Sequence, residues 1–208
     1  MIRKIVPCLI GLTLSVQTFA ADPGSHRSYL AVSYGDGSGE YTSSGTKVDM
    51  EFDGYTLGGL FYIDAGFDGV APILAVQRSD ISGKIGTTSF DSETSTFALG
   101  AAFGGVNYTD GKGKEFQVLL DRDDESSSDA SVNAIFGLGG GLTANLGYYS
   151  NISDDIMDSM SGYKVGLDIS VTDNMTIGTE YWNEDGDYKD GDKIEGSTWA
   201  LGIKYFIN

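Results

Sequence analysis

Carboxylates dominate the side chains that have chemistry to offer. The sequence carries 30 Asp and Glu against 13 Lys and Arg and 1 His, a net charge of −17. His26 is therefore the sole candidate for an imidazole base, and no serine stands in the Gly-x-Ser-x-Gly turn that would make one a nucleophile. It precedes the first strand-like run, where an exposed tail residue is the expected reading, and no catalytic residue is assigned.

The densest acidic run is Asp185, Asp187, Asp190 and Asp192, which superficially follows a calcium loop. In that register Lys189 takes the fifth position and Asp190 the place where the loop needs glycine, so no dedicated metal site is expected. Weak contact with divalent cations is the most these four are expected to offer. Asp121, Asp123, Asp124 and Glu125, and Asp154, Asp155 and Asp158, read likewise as solvated surface.

Four charges stand apart because they lie within strand-like runs. Lys164, Asp168, Glu180 and Lys204 share the non-apolar face of the last three runs, and turn spacing places Lys164, Glu180 and Lys204 at similar depth. Glu180 is expected between the two lysines, with Asp168 joining from one side. Charges taken out of water persist only when partnered. The network reads as a structural plug or, less favoured, as the lining of a narrow polar path.

The elements that would position these residues are about ten strands of period two, eight being the alternative count. The clearest runs from Ser197 to Asn208, with Trp199, Leu201, Ile203, Tyr205 and Ile207 on one face and Ala200, Gly202, Lys204 and Phe206 on the other. Polar stretches at Asp36 to Glu40 onward, Ser79 to Glu93, Asp121 to Asp129, Asn151 to Asp158 and Asn183 to Gly196 read as long loops. They alternate with shorter links at Asp64 to Gly69, Gly104 to Lys114, Gly139 to Gly141 and Val171 to Asn174. The start of the second strand near Val48 is out of phase with its end, which predicts a bulge near Asp53 and Gly54. Tyr29, Tyr62, Tyr149, Trp182 and Phe206 are the large residues expected on the inner face.

The N-terminus is basic at Arg3 and Lys4, apolar from Ile5 to about Val16, and small at Ala20 and Ala21, the pattern of a signal peptide over residues 1–20. Cys8 lies within it, so residues 21–208 contain no cysteine and no disulfide. Without Arg3 and Lys4 the charge becomes −19 (−17 less two positive charges), which argues against nucleic acid as a partner. No later stretch has the roughly 18 apolar residues of a membrane helix, so a membrane crossing requires a closed barrel. The 30 glycines and only 3 prolines suit a sheet with many turns.

Gly202, Tyr205 and Ile207 follow the C-terminal assembly pattern of bacterial outer-membrane β-barrels, a glycine, an aromatic three on and an apolar residue two further. The closing strand resembles that family's, except that it ends on Asn208 rather than on an aromatic. The resemblance implies an all-β, antiparallel up-and-down transmembrane barrel over residues 21–208, exported to the Gram-negative outer membrane. It implies contact with lipid and lipopolysaccharide, and periplasmic chaperones and the barrel-assembly machinery as partners during biogenesis. No cofactor is implied. A porin-like narrow pore is one expected function and a non-conducting structural or adhesin-like surface barrel the alternative; an outer-membrane enzyme is disfavoured by the single histidine. A secreted soluble β-sandwich or barrel would show the same alternation, but the face opposite the apolar one is expected to make a poor dry core.

Overall fold

The computed structural model describes residues 27–63, 70–124, 127–154 and 157–207. Ten strands run in chain order: β1 Tyr29–Ser43, β2 Thr46–Tyr62, β3 Val70–Ile85, β4 Thr88–Asn107, β5 Lys112–Asp123, β6 Ser128–Gly139, β7 Leu142–Ser153, β8 Met157–Thr172, β9 Met175–Tyr188 and β10 Lys193–Phe206. Each pairs antiparallel with its neighbours, and β1 pairs with β10, so the sheet closes on itself. Closure leaves no unpaired backbone at the level of the shared ladder, the condition for crossing lipid with strands.

Across the middle of the barrel the alternation points apolar side chains outward. Leu57, Leu99, Leu120, Leu167 and Leu201 are 63%, 54%, 57%, 47% and 62% exposed, and none has a protein neighbour that would shield it from water. Aromatic side chains border this belt. Tyr34 stacks on Tyr55 and Tyr181 on Trp199, each at 5.0 Å, on the side of the β1–β2 hairpin, called the outer end here. Phe61, Phe103, Phe116 and Tyr205 face outward near the inner end, where both termini of the barrel lie. Along β8 the exposed face from Tyr163 to Val171 extends about 26 Å at ~3.3 Å per residue, comparable with the roughly 25 Å apolar band of a membrane-spanning barrel.

Three of the long polar loops of the sequence reading are mostly strand. β1 continues through Asp36 to Glu40, β3 and β4 meet in a tight turn after Ile85, and β9 and β10 take up most of Asn183 to Gly196. The link from Gly104 to Lys114 shrinks in the same way to a turn between Asn107 and Lys112. The bulge expected near Asp53 and Gly54 is also absent, since β2 pairs with β1 and β3 without a register shift. What changes along β2 is the solvent. At Tyr55 and Leu57 the apolar side chains face outward, whereas beyond the belt Met50 and Phe52 turn inward and Asp49 and Glu51 outward, as for a strand in water. The chain keeps its pleat, and the hydrophobic pattern changes sides.

Wall height is uneven. β1 to β4 have 15, 17, 16 and 20 residues, whereas β5, β6 and β7 have 12 each. β5 pairs with β4 only as far as Asp123 and Thr96, so Thr88 to Thr94 form an edge above it. On the far side β7 stops pairing with β8 at Ser150 and Ser161. There Asn151 and Asp154 accept hydrogen bonds from the Met160 and Met157 amides, at 3.1 and 2.9 Å, in place of a neighbouring strand. The expectation of a poor dry core fails at both ends. Tyr29, Leu60, Ile73, Val106, Ile135 and Phe206 pack inside the inner end, and Met50, Phe52, Ile81, Phe90, Trp182 and Ile194 inside the outer end.

Candidate functional site

Between these two apolar clusters lies a polar layer. Lys164, Asp168, Glu180 and Lys204 face the lumen from β8, β9 and β10, and all four are no more than 5% exposed. Lys204 donates to Asp168 at 2.9 Å, with both side chains buried. The partnering therefore differs in detail from the sequence expectation: Asp168 is the hydrogen-bonded anion of Lys204 and not a flanking member. Glu180 accepts a long hydrogen bond, 3.5 Å, from the Asn145 amide and lies within electrostatic reach of both lysines. The Lys164 ammonium lies 5.0 Å over the Trp182 ring, a cation–π contact that borders the outer cluster.

Register explains how charged side chains fit inside so narrow a barrel. Lys164 lies opposite Gly147, Glu180 opposite Gly166 and Asp168 opposite Gly178. A Cβ at Gly178 would stand 2.0 Å from an Asp168 carboxylate oxygen, and one at Gly147 would stand 2.5 Å from Lys164 Cε. Each glycine removes a side chain where a charged one must lie across the lumen.

A second polar group was not anticipated from sequence. The Tyr62 hydroxyl donates to Glu115 at 2.7 Å, and the Gln117 amide donates to that hydroxyl at 3.0 Å and also to Glu115. Glu115 stands between Lys114 and Phe116, a stretch that reads as the margin of a turn, and only the length of β5 shows that it faces the lumen. Of the large residues expected inside, Tyr29, Tyr149, Trp182 and Phe206 are buried, and Tyr62 packs partly buried against the inner cluster.

The remaining candidates do not converge. Asp185 and Asp187 lie on β9, and Asp190 and Asp192 in the turn that follows it. Asp187 pairs with Lys193 at 2.9 Å and Asp192 accepts a hydrogen bond from Tyr41. Among the described residues no group of three or more acidic, histidine or cysteine side chains is placed to hold a metal. Gly202, Tyr205 and Ile207 occupy the closing segment, with Gly202 opposite Ser33 and Tyr205 opposite Leu30. His26, Glu125, Asp155, the loop 64–69 and the segment 1–20 lie outside the described residues.

A closed barrel with an outward apolar belt and a filled lumen matches solved structures along nearly its whole length. An outer-membrane channel from Pseudomonas putida F1 superposes with a TM-score of 0.53 at 12% identity, covering 93% of this chain and 99% of that one. The chain folds as an outer-membrane β-barrel. Lower similarity extends to Ail, the attachment invasion locus protein of Yersinia pestis, with TM-score 0.41, 16% identity and coverage of 89% and 100%. It also extends to the outer membrane protease OmpT of Escherichia coli, with TM-score 0.41, 12% identity and coverage of 93% and 100%. No protein-family model matches this barrel, and no curated protein does. A shared fold does not carry function, so the function of this barrel must be argued from its own interior and surfaces.

Proposed function

We propose that this chain is a non-conducting barrel of the outer membrane that acts through the surface it presents outside. The observation that carries the reading is the sealed interior. Lys204, Asp168, Lys164 and Glu180, at 3%, 2%, 3% and 5% exposure, lie between two apolar clusters that leave them no wet approach from either end. A conducting lumen needs a continuous file of water, and side chains nearly fill barrels of this strand number. The four charges neutralise one another and act as a structural layer.

In this reading residues 1–20 are removed on export. The assembly machinery recognises Gly202, Tyr205 and Ile207 in the closing strand, and the outer walls of β1 to β4 stand among lipopolysaccharide. Catalysis has no part in it. Single-channel recording of the refolded protein in planar bilayers tests the proposal. Silence is expected over hours of recording, and steady unitary openings would overturn it.

A further inference from the structure

The barrel closes between its first and last strands, and at the inner end the seam begins with Tyr29 of β1 opposite Phe206 of β10. A terminal rung of this kind frays unless the chain beyond it is tied down. The two residues ahead of β1 tie it. The Ser28 carbonyl accepts a hydrogen bond from the Ile207 amide at 2.8 Å, and the Ser28 hydroxyl accepts one from the Tyr62 amide of β2 at 3.1 Å. The Arg27 guanidinium lies over the Phe206 ring, 5.3 Å from its centroid, and reaches the turn between β8 and β9. There it donates to the Asp173 carbonyl at 2.8 Å and to the Asn174 side-chain oxygen.

Asn174 completes the arrangement. Its carbonyl accepts the Phe206 amide at 2.9 Å while its side chain holds Arg27, so one turn residue grips both the end of β10 and the lead into β1. The Phe206 ring beneath the guanidinium is 2% exposed and packs at 5.8 Å against Tyr29 and 5.1 Å against Tyr108. Arginine suits this position because its planar fork donates to two acceptors while its face rests on an aromatic ring, which a lysine ammonium cannot do at once. Arg27 and Asn174 are 147 residues apart in the chain. These contacts are therefore assembled only when β10 and the β8–β9 turn have been brought against the start of β1.

We propose that Arg27 is a lock on the seam, holding β1 and β10 together once the barrel has closed and taking no part in closing it. Pairing the two ends of the chain carries the entropic cost of a long loop, which is met before the guanidinium finds its acceptors. Contacts made after that step set the rate of opening and leave the rate of closing unchanged. An open seam would present two unpaired strand edges, to lipid or to another chain, and the lock keeps them covered. The lock stands whether or not the lumen conducts.

The test measures rates of folding into lipid vesicles and of unfolding in urea, followed by the fluorescence of Trp182 and Trp199, on the full chain carrying Cys8→Ser. Arg27→Ala should unfold about tenfold faster, the scale of one lost charge-assisted hydrogen bond, and fold at an unchanged rate. Arg27→Lys, which keeps the charge and loses the fork, should unfold nearly as fast as Arg27→Ala. Val32→Cys with Ile203→Cys, opposite each other across the seam, supplies a readout specific to that seam. Once this pair is oxidised, Arg27→Ala should no longer change the unfolding rate, whereas its effect should persist beside an oxidised Val118→Cys and Val132→Cys pair between β5 and β6. Folding slowed as much as unfolding is hastened, an unfolding rate unchanged by Arg27→Ala, or an effect that survives the seam crosslink would overturn the proposal. Should the crosslinked chain not refold, Asn174→Ala carries the comparison, since it removes the side-chain acceptor and keeps the backbone bond to Phe206. Combined with Arg27→Ala it should add little to the unfolding rate, and fully additive effects would overturn the lock.

Discussion

Asp168 and Lys204 form the best-defined ion pair of the interior, and Gly178 holds the space that lets them meet. Replacing Asp168 with Asn leaves Lys204 buried without its anion, and should cost about 3–5 kcal/mol of stability in urea unfolding from lipid vesicles. Gly178→Val should reach a similar loss by pushing the carboxylate aside. Because both substitutions break one contact, the double variant should lose much less than the sum. The outer acids predict the opposite charge dependence. Glu184, Asp121 and Asp129 bind protons more tightly in the folded than in the unfolded chain, so their contribution is fully present below the unfolded carboxylate range. It is lost as pH rises through about 6, 7 and 8. The melting temperature should therefore fall between about pH 5 and 8, and Glu184→Gln should flatten that slope. The inward face of Lys164, Asp168, Glu180 and Lys204 was legible from period alone. Their partners were not, because pairing depends on register across three strands, and Glu184 was hidden in what reads as an acidic loop.

For the strands, the sequence conveyed number, direction and the membrane belt, and it misplaced the ends. Leu57 and Phe52 both belong to β2, but one is an outward apolar residue and the other packs inside the outer end, so a single apolar face cannot be followed through the segment. A period that changes sides at constant pleat looks like a bulge or a loop when the medium is assumed uniform. The same cause shortened β3, where Ile81 lies inside beyond the belt. The unpaired edge of β4 carries Asp91 and Glu93 on its outer face, and Glu93 bridges to Arg78 on β3. Charges along an edge discourage pairing with another chain. Replacing both acids with valine should convert monomers to higher species in analytical ultracentrifugation of detergent-solubilised protein, while the barrel's melting temperature changes little.

For the molecule as a whole, one wall is tall and the other low. Thr88 to Thr94 of β4 rise above the last pairing of β5, whereas β7 and β8 part at Ser150 and Ser161 and the Asn151 and Asp154 side chains bridge them. The rim is therefore lowest at the β5–β6 end, beside the free edge of β4. Asp121 and Asp129 stand at that end. A solute approaching over β5 and β6 has a shorter way past the rim than one approaching over β3 and β4.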